Sequence, residues 1–205
     1  MTQNSSQLLL FDLGRVVVEV TGERDIRPFL KGPLRTDGGR WPAMEAWDAF
    51  EKGLLTPVEF SEQFVAQANL SLDAPSFLAN FESWTRGMLP GAAEILTALR
   101  HEFRLAALSN SNELHWARNA ALGVPDHFER VFASHEIGYR KPAREIYEHV
   151  LLEMDVVAAD VTFFDDQQPN VDAAKELGMS AYRVEGTTEL RACLVELGYL
   201  ETEAL

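Results

Sequence analysis

A single cysteine in 205 residues, Cys193, leaves no partner for an internal disulfide, so core packing has to hold the fold. No apolar run approaches the roughly 20 residues that span a bilayer. The opening MTQNSSQ is polar and lacks the basic-then-apolar layout of a signal peptide. The chain therefore reads as cytoplasmic, without a membrane partner. Basic residues are scarce too: 18 Lys and Arg against 32 Asp and Glu give a formal charge of -14 at pH 7. That balance argues against nucleic acid, whose phosphates attract a basic stripe. An anionic small molecule would have to overcome the same repulsion locally, and a bound divalent cation is the obvious means. Repeats and low-complexity tracts are absent, and nothing in the sequence fixes an oligomeric state.

What remains is an ordinary globular composition, 46% hydrophobic and 24% charged, long enough for one large domain or a core with an inserted smaller one. Five short apolar runs stand out: LLLFDL (8–13), FRLAALSN (103–110), ERVFAS (129–134), DVTFFDD (160–166) and SAYRV (180–184). Each is apolar on both faces, as strands of a doubly covered parallel sheet are. Helical segments lie between them, in GAAEILTALRHE, NELHWARNAALG, AREIYEHVLLEM and NVDAAKELG, with Gly123 and Gly178 at expected C-caps. Strands alternating with helices predict an α/β fold with a parallel sheet and right-handed crossovers.

The interval from the first strand to residue 89 breaks this rhythm, with helical periodicity and no convincing strand. WPAMEAWDAFEKG puts Trp41, Met44, Trp47, Ala49 and Phe50 near one face. In TPVEFSEQFVAQANL, Thr56 is placed as an N-cap, Pro57 at the first helical position and Glu59 to close a capping box. DAPSFLANFESWTRGM continues the helical pattern. The division that follows is a core of residues 1–18 and 89–205 with an inserted helical subdomain at 19–88, and a frayed ETEAL tail.

Ligands of open parallel sheets sit beyond the carboxyl ends of the strands. There the first strand ends in Asp12, the second in LSNSN with Ser109 and Asn110, the segment after the third holds GYRKP with Lys141, and the fourth ends in Asp165 and Asp166. Taken alone, Asp12 is as readily a helix N-cap, Ser109 and Asn110 a turn pair and Lys141 a solvated loop charge. Adjacent acids after TFF are harder to dismiss, because burying them is costly unless they are paired or bind a metal. It is the convergence on one rim that points to chemistry.

The ordered set FDLG, LSNSN, GYRKP and FFDDQQPNVDAA resembles the four motifs of the haloacid dehalogenase-like hydrolase superfamily, over nearly the whole chain. The resemblance implies a Rossmann-like doubly wound core with a helical cap inserted after the first strand. It is nearest to the capped phosphatases of small metabolites, some of which act on sugar phosphates. It further implies that Asp12 is the nucleophile that forms an aspartyl-phosphate. Ser109, with Asn110 beside it, would hold a phosphoryl oxygen, and Lys141 would place its charge on the nucleophile and the transferring group. Magnesium would be held by Asp12, the main-chain carbonyl of Gly14 and Asp166, which suits an ion that takes oxygen ligands and keeps several waters. Asp165, Asn170 and Arg15 would support that shell.

One position departs from the family. Many of its phosphatases carry a second aspartate two residues after the nucleophile as general acid and base, and this chain has Gly14. Losing a positioned proton donor costs on the order of 10²- to 10⁴-fold, less when the leaving group is already weakly basic, so a sugar 1-phosphate is an expected substrate class. Two alternatives stand beside the phosphatase: a 2-haloacid dehalogenase, which the acid pair in FFDDQQPN disfavours, and a non-catalytic phospho-ligand-binding protein of the same fold, which Gly14 would suit. Arg15 reads first as a solvated or ion-paired residue, with Glu19 as partner, and second as a contact for the leaving group. His115 and His135 are expected at the surface rather than as proton shuttles. Trp41, Trp47, Phe50 and Trp84 are expected in the core of the helical insert, with one of them able to face the cleft. Cys193 is expected to be buried without a role. Substrate choice is assigned to the loops of residues 19–39.

Overall fold

The computed structural model describes residues 7–32 and 44–201. Five parallel strands form the central sheet in the order β5 (Arg130–Ala133), β4 (Arg104–Ser109), β1 (Leu8–Phe11), β6 (Val161–Asp165), β7 (Ser180–Arg183). All five strands expected from the apolar runs are present. Leu8 pairs with Arg104 on one side and Val161 on the other, and the register runs in step to Phe11 with Ala107 and Phe164.

Side chains alternate across a strand, so β1 feeds two cores. Leu9 and Phe11 pack with Ile95, Leu96 and Leu99 of α5 (Ala92–Leu99) and Leu190 and Leu194 of α10 (Gly186–Glu196). Leu8 and Leu10 pack on the opposite face, with Ile146, Tyr147 and Val150 of α8 (Arg144–Met154) and Val171 and Ala174 of α9 (Gln168–Glu176). The sheet is therefore covered on both faces, as the doubly wound reading requires. From β1 the chain winds out through β4 and β5, then crosses to β6 and β7. This reversal leaves a crevice at the carboxyl ends of β4, β1 and β6. Gly123 and Gly178 take φ of +74° and +94°, just past the ends of α6 (Glu113–Ala121) and α9.

Between β1 and α5 lie α1 (Glu23–Ile26), α2 (Glu45–Glu51), α3 (Pro57–Gln67) and α4 (Ala74–Glu82). A third apolar cluster belongs to this interval. It contains Phe50, Phe60, Phe64, Phe77, Phe81 and Trp84, with Phe50 stacked on Phe60 at 4.2 Å between centroids. The capping box at Thr56 forms as the sequence predicts: its hydroxyl accepts from Glu59 N–H at 3.3 Å, and Glu59 Oε2 accepts from Thr56 N–H at 2.9 Å. Trp41 lies outside the described residues, as do the last four positions of the ETEAL tail and the end of the 19–39 loops.

The helical reading of the interval needs one correction. Val18–Val20 (β2) and Thr85–Met88 (β3) pair antiparallel as a two-stranded ribbon where the chain leaves and rejoins the sheet domain. The end of DAPSFLANFESWTRGM is thus extended rather than helical. Trp84 O accepts from Thr21 N–H at 3.0 Å, and Leu89 N–H donates to Val17 O at 2.9 Å. Backbone pairing across the two crossings overrides a local helical pattern only a few residues long.

Candidate active site

β1 ends at Phe11, and the next residue still donates its N–H to Phe164 of β6 at 2.8 Å, so the ladder carries Asp12 to the sheet edge. Its carboxylate is buried and accepts from Leu13 N–H at 2.7 Å. Lys141 reaches in from the segment after α7 (Ser134–Ile137). Its ammonium lies 2.9 Å from Asp12 Oδ1, and it donates to Asp165 Oδ2 at 2.7 Å and to Leu108 O at 2.7 Å. Asn110, at the end of β4, clasps the backbone of residue 141 from both sides. Its Nδ2 donates to Lys141 O at 3.0 Å, and its Oδ1 accepts from Lys141 N–H at 2.8 Å. Motif-two and motif-three residues are thereby locked together before any ligand binds.

Asp165 is fully buried and takes every donor around it: Gln167 N–H at 2.7 Å, Asn170 Nδ2 at 3.0 Å on both oxygens, and Lys141. Asp166 follows it at the head of α9, and Arg15 Nε stands 3.6 Å from its Oδ2. One oxygen from each of Asp12, Asp165 and Asp166 lies within 4.8 Å of the other two. Burial pushes the Asp12 carboxyl well above its ordinary value, Lys141 pulls it down, and Asp165 and Asp166 push it up again. Burial works against the charge on Lys141, but Asp12 and Asp165 outweigh it and raise the ammonium's affinity for its proton.

Three clustered carboxylates thus face one ammonium. Such an oxygen-only, charge-excess donor set fits a hard divalent cation of the magnesium type. Asp165 already accepts from Gln167, Asn170 and Lys141, and Asp12 and Asp166 complete the cluster.

These groups open on a cavity of about 700 Å³. Asp12, Gly14, Arg15, Ser109, Asn110, Lys141, Asp166 and Asn170 line it from the sheet edge. Val18 and Val20 of β2, Trp84, Thr85, and Trp47 and Glu51 of α2 line it from the opposite wall. Every site residue singled out in the sequence except Asp165 borders this cavity, and Asp165 backs it.

Several expectations change. Arg15 does not pair with Glu19: its guanidinium bonds Glu185, its Nε faces Asp166, and its carbonyl accepts from Gly186 N–H at 2.7 Å. His115 is buried rather than on the surface. Its Nε2 donates to Phe81 O at 2.9 Å and its Nδ1 accepts from Asn112 Nδ2 at 3.2 Å, while burial pushes its pKa down to about 4. His135 is half-buried and does not border the cavity. Asn170 Nδ2 donates to both oxygens of Asp165. Phe50 and Trp84 are buried in the helical cluster, and half-buried Trp47 packs against it; of these, Trp47 and Trp84 also face the cavity. Cys193 is half-buried, packed against the core rather than enclosed in it.

The motifs gave no reason to single out Glu51 or Arg140. Glu51 is buried, and its Oε2 lies 2.8 Å from Arg140 Nη2. One signal was available: Glu51 is four residues after Trp47 and next to Phe50, so a carboxylate occupies the apolar face of its helix.

A crevice at the reversal of a doubly wound sheet, with a buried carboxylate–ammonium pair and an acid pair on adjacent strands, defines a hydrolase class, and comparison with known proteins gives the class its family. The sequence pattern of the haloacid dehalogenase-like hydrolases matches residues 43–178, and the chain belongs to that family. It is 31% identical over 192 residues to a sesquiterpene phosphatase of Aspergillus oryzae, covering 90% of this chain and 92% of that one. It is 24% identical over 193 residues to a D-ribitol-5-phosphate phosphatase of Bacteroides thetaiotaomicron, covering 89% and 94%. A crystal structure of a family enzyme from Bacteroides thetaiotaomicron, in complex with magnesium and inorganic phosphate, superposes with a TM-score of 0.72 at 28% identity, covering 88% of this chain and 94% of that one. The protein is an enzyme of this family, and both of these curated relatives are phosphatases. Among the described residues no helix is long and apolar enough to cross a membrane.

Proposed function

We propose that the protein is a magnesium-dependent phosphatase of a small phosphorylated metabolite, working through an aspartyl-phosphate on Asp12. The observation that carries this reading is the buried Lys141 ammonium held between Asp12 and Asp165, beside a cavity that Asp166 and Ser109 also line. In that arrangement an oxygen of Asp12 attacks phosphorus. The Ser109 hydroxyl and Lys141 bind the phosphoryl oxygens, and Asn110 fixes both segments. Asp12, the Gly14 carbonyl and Asp166 would hold magnesium, which supplies charge neutralisation for the transferring group. Asp165, Asn170 and Arg15 hold these residues in place. Residues 19–88 would act as a cap that excludes water, over a core of 1–18 and 89–205.

The wall of Val18, Val20, Trp47 and Trp84 supports a leaving group that offers apolar surface, a description that sits closer to the sesquiterpene-phosphatase relative than to the polyol-phosphate one. The expected preference for sugar 1-phosphates rests on position 14, where a glycine supplies no proton donor. A dehalogenase is disfavoured by the carboxylate excess, which calls for a cation that halide displacement does not need.

The test is phosphate release from a panel of isoprenoid, polyol, sugar and nucleotide phosphates. Magnesium-dependent release is expected, abolished by chelator and lowered at least about 10³-fold by Asp12→Asn. Release indifferent to that substitution, or turnover of 2-chloropropionate in chelator, refutes the reading.

A further inference from the structure

We propose that Glu51 is the proton donor to the leaving group and the base for the attacking water, replacing the carboxylate that Gly14 does not provide. The inference rests on the phosphatase reading above. It starts from the titratable groups at the cavity. Among the described residues the acids and histidines that line it are Asp12, Asp166, His115 and Glu51. Asp12 is committed to phosphorus and Asp166 to the cation. Both ring nitrogens of His115 are spent on Phe81 O and Asn112, so using its proton would break a buried hydrogen bond. The lining arginines are too basic to donate at neutral pH. Glu51 is the group that remains.

Its placement suits the task. Glu51 borders the same cavity as Asp12, from the helical segment that also carries Trp47. The end of α2 that carries it is fixed against the sheet domain at three points. Ser134 Oγ donates to Glu51 O at 2.6 Å, and the same hydroxyl accepts from Ser111 N–H at 2.9 Å. Arg140 Nη1 lies 3.3 Å from Asp48 Oδ1. Gly53, at φ +70°, sits so close to the His135 carbonyl that a Cβ there would run into it. The carboxylate itself meets Arg140 at 2.8 Å and a side-chain hydrogen bond from Trp47, and it feels the charges of Lys141 and Asp48. Burial pushes its proton affinity up, and this outweighs the pull of Arg140, Trp47 and Lys141.

The steps balance. An Asp12 oxygen bonds to phosphorus as the ester P–O bond breaks, and the departing oxygen takes the Glu51 proton to leave as alcohol. Water then bonds to phosphorus as the P–O bond to Asp12 breaks. Glu51, now a carboxylate, takes the proton of that water and is reset, and inorganic phosphate leaves.

Leaving-group dependence tests this, because a proton donor matters for alkyl esters and little for aryl esters whose leaving group is already weakly basic. Turnover of p-nitrophenyl phosphate and of an alkyl phosphate is measured for the natural enzyme, Glu51→Gln, Gly14→Asp and the double variant. Glu51→Gln should lower alkyl-ester turnover about 10²- to 10⁴-fold while the aryl ester loses less than about tenfold. A Cβ at position 14 would meet only Val20 Cγ2, at 3.5 Å, so Gly14→Asp is not blocked at its Cβ and should restore the alkyl ester in the double variant. If Glu51→Gln does not fold, Glu51→Asp must show the same alkyl-selective loss. Equal losses on both esters, no loss, or an alkyl loss that Gly14→Asp leaves in place overturn the proposal. An enzyme that hydrolyses neither ester sinks the phosphatase reading instead.

Discussion

The two walls of the cavity are built by different physics. On the sheet side the order comes from hydrogen bonds: Asp165 alone takes donors from Gln167, Asn170 and Lys141. On the helical side the order comes from rings, with Phe64 stacked on Phe77 at 4.9 Å and Phe81 on His115 at 4.2 Å. Hydrogen bonds fix atoms to tenths of an ångström, which phosphoryl transfer requires of a nucleophile and its counter-charges. Packed rings fix a surface, which is enough to select and enclose a leaving group. Glu51, Arg140 and Ser134 stitch one wall to the other.

Removing the ammonium should break the comparison at its strongest point. Lys141→Met leaves Asp12 and Asp165 buried with no cation between them, and stripping one partner from a buried ion pair costs about 3–5 kcal/mol. Denaturant unfolding should show that loss, and turnover should fall on alkyl and aryl esters alike, since the charge acts on the phosphoryl group common to both. A stable variant with normal turnover would mean that the sheet wall is not organised around this residue. On the other wall Phe77→Ala, in the middle of the aromatic cluster, should cost about 3–5 kcal/mol of stability. Its kcat for p-nitrophenyl phosphate should stay within a few-fold at a temperature where the variant is folded. A large kcat loss there would show that the rings set the chemistry as well as the enclosure.

The same contrast explains what could be read from the sequence. The sheet wall was legible because its parts are local: Asp12 follows four apolar residues, Asp165 and Asp166 follow TFF, and three of the four motifs lie at the tips of their own strands. The family resemblance put the cation on Asp166 and gave Asp165 a supporting place; what the sequence does not show is the hydrogen bonding that occupies Asp165 while Asp166 borders the cavity. Arg15 went to the wrong partner because Glu19 is near in sequence, whereas Glu185 comes beside it only when β7 joins the sheet. β2 and β3 were missed because VEV and TRGM are too short for a strand pattern and find each other only once the helical segment has closed between them. Glu51 carried a weak sign, a charge on an apolar helical face, that no motif amplified.

The smallest expected effect marks where the helical wall depends on local sequence alone. Thr56 and Glu59 cap α3 at an exposed end outside the cavity lining, one turn before Phe60 of the ring cluster. An N-cap threonine replaced by alanine typically costs about 1 kcal/mol, because the freed N–H groups turn to water. Thr56→Ala should therefore lower stability by about that amount, less than a third of the Phe77→Ala loss, and leave KM and kcat where they were. The two variants together should lose close to the sum of their separate losses, since the bonds of the Thr56 hydroxyl run to Glu59 and not to Phe77. A Thr56→Ala loss as large as that of the ring, or a sum that fails, would mean that the end of α3 and the aromatic cluster melt as one unit. The helical wall would then owe its order to its caps as well as its rings.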